Sequence, residues 1–324
     1  MAISSGFAWR AAFSGYVVVV FSFCVYVPLL VLLGYGYPLH VVATAAFTVV
    51  ALMVTLGLFR GVPVSGGRGG SLPVSLFVLL TGLVLAEEVL LNSVWAVYGL
   101  GLAVVGLVVV PVLAVVFGGE GWLRVALEAV ALVFATRVVL SPFPAGFSGM
   151  SLFLPVVYTL ILVATVLYLS FRGVSSGEVR FSLGVRGLWS QLGVGAGVGL
   201  GVGLCEYVVL RPKPIVVGSG LFQVVGYVFI VLAVMVGTVE ELLFRGLLQG
   251  AMERVVAPWV AIGLSAILFG LMHVGWMNPL EVLLAYGAGV VFGCLALRMD
   301  SLLAPIAAHG VGNFVLYLIA LYPR

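Results

Sequence analysis

The chain has 324 residues, 64% hydrophobic and only 8% charged, with a mean hydropathy of +1.33. An ordinary soluble domain carries about 25% charged residues, so a water-soluble fold is excluded, and the continuous apolar runs exclude a transmembrane β-barrel, whose strands alternate polar and apolar positions. The net charge is +3, carried by scattered Arg residues and the single Lys213, which leaves no basic patch for nucleic acid.

A bilayer-spanning helix needs about 20 mostly apolar residues, and on that template the fold class is all-α, a polytopic transmembrane helical bundle of about 11 spans. The runs fall near 11–34, 40–59, 74–92, 95–117, 122–140, 152–171, 188–210, 221–250, 256–272, 279–297 and 303–322. The first follows Arg10, exceeds the ~7–15 residues of a signal-peptide core and ends without an A-x-A site, so it reads as a retained anchor. Cys24, Cys205 and Cys294 lie far apart inside apolar runs and read as small packing residues. The longest polar connector, 172–187, divides an N-terminal membrane region of about six spans, 1–172, from a C-terminal domain at 188–324.

Cytoplasmic loops of membrane proteins are enriched in Arg and Lys. With the N-terminus in the cytosol, Arg10, Arg60, Arg68, Arg124, Arg172, Arg180, Arg186, Arg254 and Arg298 fall inside, and Arg211, Lys213 and Arg324 outside. The expected topology is therefore N-terminus cytoplasmic and C-terminus outside. The run 188–210 holds glycine at 193, 195, 197, 199, 201 and 203. Small residues let membrane helices approach closely. Alternation does not match the helical repeat, so the expectation is a slim helix packed on all sides.

Ionisable groups inside apolar spans cost about 2.5–3.5 kcal/mol each on insertion scales and mark function by default. Three groups of them stand out in the C-terminal domain. In Glu240-Glu241-Leu242-Leu243-Phe244-Arg245, Glu241 and Arg245 have the four-residue spacing of an intrahelical ion pair. Glu240 is rotated by about 100° from its neighbour and lacks that partner. Phe269-Gly270-Leu271-Met272-His273 closes the next run, and His309-Gly310-Val311-Gly312-Asn313 lies in the last one, with His309 and Asn313 on one helix face. The whole chain has three His and three Asn, so two of the former and one of the latter stand in these two elements. The N-terminal half has a look-alike of the first, Glu87-Glu88-Val89-Leu90-Leu91-Asn92, in which Asn92 replaces the arginine. It reads as a polar contact between helices. Glu128 lies about 9 Å into its run by helix rise, within reach of the interface by snorkelling; Arg137 falls on the opposite face, so the two cannot pair within the helix, and a partner on a neighbouring helix is open to either. Glu206 and His40 read as interfacial and solvated groups.

EExxxR, FxxxH and HxxxN, in that order on successive membrane helices, resemble the CPBP family, the CAAX prenyl protease and bacteriocin-processing (Abi) family of intramembrane glutamic endopeptidases. The resemblance covers roughly 188–322, and no position departs from the three motifs. It implies that Glu240 and His273 activate a water, that His309 and Asn313 hold the oxyanion, and that Glu241 with Arg245 is a structural pair. It implies a membrane-associated protein or peptide substrate, in the family's name a prenylated CAAX protein, and no cofactor. If these residues form one site, their polar atoms are expected to converge on one cavity. Three other readings are open to the residues alone. Glu240, His273 and His309 are types that bind zinc with an open position for water. The domain also suits a non-catalytic scaffold or immunity protein. The acids of both halves suit an ion- or proton-coupled transporter.

Overall fold

The computed structural model describes residues 71–119, 121–140, 150–181, 187–212 and 220–321. The two expected spans at 11–34 and 40–59, and His40, lie outside them. Among the described residues the chain is helical throughout: α1 (Ser71–Leu91), α2 (Ala96–Gly118), α3 (Trp122–Leu140), α4 (Met150–Arg172), α5 (Leu188–Leu210), a composite span α6 (Leu221–Met252), α7 (Pro258–Leu271), α8 (Pro279–Met299) and α9 (Leu303–Ile319). A 3-10 turn, Val274–Trp276, joins α7 to the segment before α8. All nine runs expected from 74 onward are thus helices. Seven of them are long and apolar enough to cross a membrane. Of the other two, α3 carries Arg124, Glu128 and Arg137, and α9 has 17 residues. Against the expectation of about 11 spans, the described residues therefore support seven by length and hydropathy.

The helices form two compact units that interleave along the chain. The first contains α1, α2, α3, α7, the 3-10 turn and the start of α8. Its contacts are close where glycine allows them: an added Cβ at Gly106 of α2 would strike the ring of Phe134 on α3. Every residue of α7 from Val260 to Leu271 is buried. Pro258 sits in its first turn, where a missing N–H costs nothing.

The second unit contains α4, α5, α6, the rest of α8, and α9. α9 is its centre. Gly195, Gly199 and Gly203 of α5 face it, and a Cβ at any of them would collide with the carbonyl oxygen of Ala304, Ala308 or Gly312. Gly193, Gly197 and Gly201 have nothing within 4 Å. This corrects the expectation of slim packing on all sides. Every second residue is glycine, but only the subset repeating every four shares a face, so one stripe makes the contact. On its other side α9 meets α6, where a Cβ on Gly310 would approach the Ala233 carbonyl oxygen at 2.6 Å.

α6 has 32 residues, more than the ~20 that a straight crossing needs. It is not a uniform α-helix. Two π-helical segments, Val228–Val236 and Leu242–Gln249, flank a short α-helical stretch, Gly237–Glu241. π segments widen the helix and recur at functional sites. Here they bracket the two glutamates.

Candidate active site

Glu240 and Glu241 stand side by side in α6 in different surroundings. Glu241 is fully buried, and its Oε1 accepts from Arg245 Nη1 at 2.9 Å. The same oxygen lies 2.7 Å from His309 Nδ1 on α9. Arg245 is buried too, with its guanidinium carbon 5.9 Å from the Phe244 ring centroid and 5.4 Å from that of Phe292. Such cation–π contacts favour a desolvated guanidinium. Phe292, on α8, stacks on the His309 imidazole at 5.8 Å. The expected Glu241–Arg245 pair is therefore present, with His309 as a third member.

The Glu240 side chain is 21% exposed, against 0% for Glu241. Its Oε2 lies 3.8 Å from His309 Nε2. Its Oε1 accepts a hydrogen bond from the hydroxyl of Tyr158 on α4. Tyr158 carries no signal in the sequence. A tyrosine in an apolar run is equally at home as a packing residue with a polar tip, and 82 residues separate it from Glu240.

His309 thus has a carboxylate facing each ring nitrogen. A carboxylate only accepts, so Nδ1 carries the proton it shares with Glu241. To donate through Nε2 as well, the ring must carry both protons, and the two carboxylates are the counter-charges for that form. One turn further on, Asn313 Nδ2 donates to the Leu232 carbonyl oxygen in the first π segment at 3.0 Å. The amide nitrogen has two hydrogens, so this bond anchors the side chain and uses one of them.

His273 belongs to the other unit, at the end of α7. Its backbone (φ −95°, ψ 3°) lies in the sparsely populated bridge region, where many active-site residues sit. Its Nδ1 is 3.0 Å from the Phe269 carbonyl oxygen, and the two rings are 5.0 Å apart. A carbonyl accepts only, so Nδ1 bears the proton and Nε2 is the ring's acceptor. The FxxxH spacing has a physical basis here: residues four apart share a helix face, and the phenylalanine supplies both the ring contact and the carbonyl that fixes the tautomer. In this way the second unit brings Glu240, Glu241, Arg245 and His309 into direct contact and places Asn313 one turn away.

Glu87, Glu88 and Glu128 also find places. Glu88 is fully buried and pairs with Arg137 of α3, as expected of a polar contact between helices. Glu128 pairs with Arg124 at 3.1 Å on its own helix. Glu87 is buried beside Glu88.

Residues 222–315 match the family model described as type II CAAX prenyl endopeptidase, Rce1-like. The segment takes in Glu240, Glu241, Arg245, His273, His309 and Asn313. No curated protein and no solved structure matches the chain significantly. With several apolar membrane-length helices around it, this segment is similar to the Rce1-like CAAX prenyl endopeptidases of the CPBP family, in an integral membrane protein.

Proposed function

We propose that the chain is an intramembrane endopeptidase that hydrolyses a peptide bond of a membrane-associated protein by means of a Glu/His-activated water. Glu240 takes a proton from the water, and the resulting hydroxide attacks the scissile carbonyl carbon. The carbonyl oxygen becomes an oxyanion, which His309 Nε2–H and the second Asn313 amide hydrogen stabilise. When the tetrahedral intermediate collapses, the C–N bond breaks and the proton held by Glu240 passes to the leaving amine. By the motif roles of the family, His273 partners Glu240 at the water. Oriented donors act most strongly where water is excluded, and His309 and Asn313 are donors on a buried helix. Tyr158 holds the Glu240 carboxylate in place.

One observation carries this reading: of two adjacent glutamates in the span, Glu241 is locked by Arg245 and His309 while Glu240 remains accessible. The substrate class is a membrane protein of the CAAX prenyl type, as the family match suggests. The test is cleavage of prenylated and unprenylated peptides by purified protein. Glu240→Ala and His273→Ala are each expected to lose at least about 100-fold in turnover, in the range of a positioned acid–base group, while still inserting and folding. The preparation is expected to hold no stoichiometric zinc by elemental analysis. Turnover at the wild-type rate in either variant removes the mechanism, and one zinc per chain lost together with activity replaces it with metal-assisted hydrolysis.

A further inference from the structure

Glu88 and Arg137 meet inside the first unit, beside the turn that carries His273. Their ion pair has one charge-assisted hydrogen bond, from Arg137 Nη2 to a Glu88 carboxylate oxygen, with Nε close to the other oxygen. A charge-assisted bond to a fully buried carboxylate holds the guanidinium in place. The same Nη2 lies 3.5 Å from the Met272 carbonyl oxygen. Met272 is the C-cap of α7 and immediately precedes His273. The last carbonyls of a helix lack intrahelical partners, and in a bilayer water does not supply them. A cation at the negative end of the helix dipole is the natural substitute.

A second thread reaches the same turn. Asn92 follows α1, and its Nδ2 donates to the Glu88 carbonyl at 2.8 Å and to the Glu88 carboxylate at 3.3 Å. Its Oδ1 abuts Gly275, where an added Cβ would stand 3.2 Å away. The turn around His273 is thus held at two points, Met272 and Gly275, by side chains from outside the matched segment.

We infer that Glu88, Arg137 and Asn92 are positioning residues for His273: Glu88 sets the guanidinium, Arg137 pins the carbonyl before the histidine, and Asn92 backs the turn behind it. This rests on the reading of His273 as partner of the general base. It gives the Glu87-Glu88…Asn92 look-alike a task, with asparagine in place of arginine because its work is to reach a backbone turn. It also gives α1 and α3, which lie outside residues 222–315, a part in the protease site.

The test uses the purified full-length protein and the double variant Glu88→Gln/Arg137→Met, which removes both charges together and strands neither. Thermal stability is expected to stay close to wild type. The kcat is expected to fall by about 10- to 100-fold, the scale of a small misplacement of a reacting group, with KM changed less than about two-fold. Hydrogen–deuterium exchange at residues 272–277 is expected to quicken. If the double variant does not fold, Arg137→Lys takes its place, since lysine keeps the charge without the planar guanidinium, and a smaller fall with the same quickened exchange is expected. Wild-type kcat and wild-type exchange in a folded variant overturn the inference. If instead His273→Ala cleaves as well as wild type, the catalytic reading of His273 has failed, and exchange at 272–277 still decides whether the clamp holds the turn.

Discussion

Glu240 and Glu241 are adjacent, and about 100° of helix rotation gives them different tasks. The locked glutamate is tested by substitution. Arg245→Gln is expected to lower stability by about 3–5 kcal/mol, because removing one member of a buried ion pair strands the other. Glu241→Gln is expected to lose stability and also turnover, since it releases His309. The double variant Glu241→Gln/Arg245→Gln should recover part of the stability without recovering turnover, as read by thermal unfolding and peptide cleavage of the same samples. A double variant no more stable than the worse single one shows that the pairing is wrong. Tyr158→Phe isolates the hydroxyl on Glu240. A hydrogen bond to a charged group contributes about 1.5–3 kcal/mol, so kcat is expected to fall about 10-fold or more with KM nearly unchanged, and an unchanged kcat removes Tyr158 from the site. How far these residues are legible follows from distance along the chain. Glu241 and Arg245 are four apart, so their pairing is visible in the sequence. The contacts of His309 with Glu241 and of Tyr158 with Glu240 cross 68 and 82 residues, and no local spacing encodes them. His309 stood out only because the chain uses so few polar residues, and Tyr158 did not stand out because the chain has twelve tyrosines.

At the scale of the element, the site depends on how closely α9 approaches its neighbours. The runs of hydrophobic residues marked where the nine described helices lie, since bilayer thickness alone dictates their length. They did not mark which face of α5 makes contact, because a glycine at every second position contains two interleaved four-residue repeats, and only tertiary packing selects one. The π segments of α6 were likewise invisible, as their apolar residues read as one continuous helix. The choice of stripe is testable with a matched pair. Gly199→Val places a side chain against the Ala308 carbonyl and the Val311 side chain, whereas Gly197→Val enters open space. Overpacking costs about 1–3 kcal/mol and sometimes more, so Gly199→Val is expected to lower the unfolding temperature in detergent and to reduce cleavage as α9 shifts His309. Gly197→Val is expected to stay near wild type in both. Equal effects from the two variants place the α5–α9 contact elsewhere.

At the scale of the whole molecule, orientation follows from charge, and one contact in the second unit bears on it. The Arg180 guanidinium pairs with Asp300 at 3.0 Å, and Leu302 N–H donates to the Arg180 carbonyl at 3.0 Å. The connector after α4 and the turn between α8 and α9 therefore lie at the same end of this unit. That end gathers Arg172, Arg180 and Arg298, which the positive-inside rule assigns to the cytosol. α5 leaves from the connector and runs unbroken for 23 residues to Leu210, about 34 Å at 1.5 Å per residue, which is enough to cross a hydrocarbon core of about 30 Å. Residues 211–212 should consequently lie on the opposite face, although Arg211 and Lys213 run against the charge rule there. Single-cysteine labelling decides the matter, after Cys24, Cys205 and Cys294 are replaced. Cysteines placed at the exposed Ser176 and Asp300 are expected to react with an impermeant thiol reagent only from the cytosolic side, and one at Pro212 only from outside. The opposite pattern at all three positions inverts the proposed topology. Labelling of Ser176 and Pro212 from the same face shows that α5 does not span the bilayer.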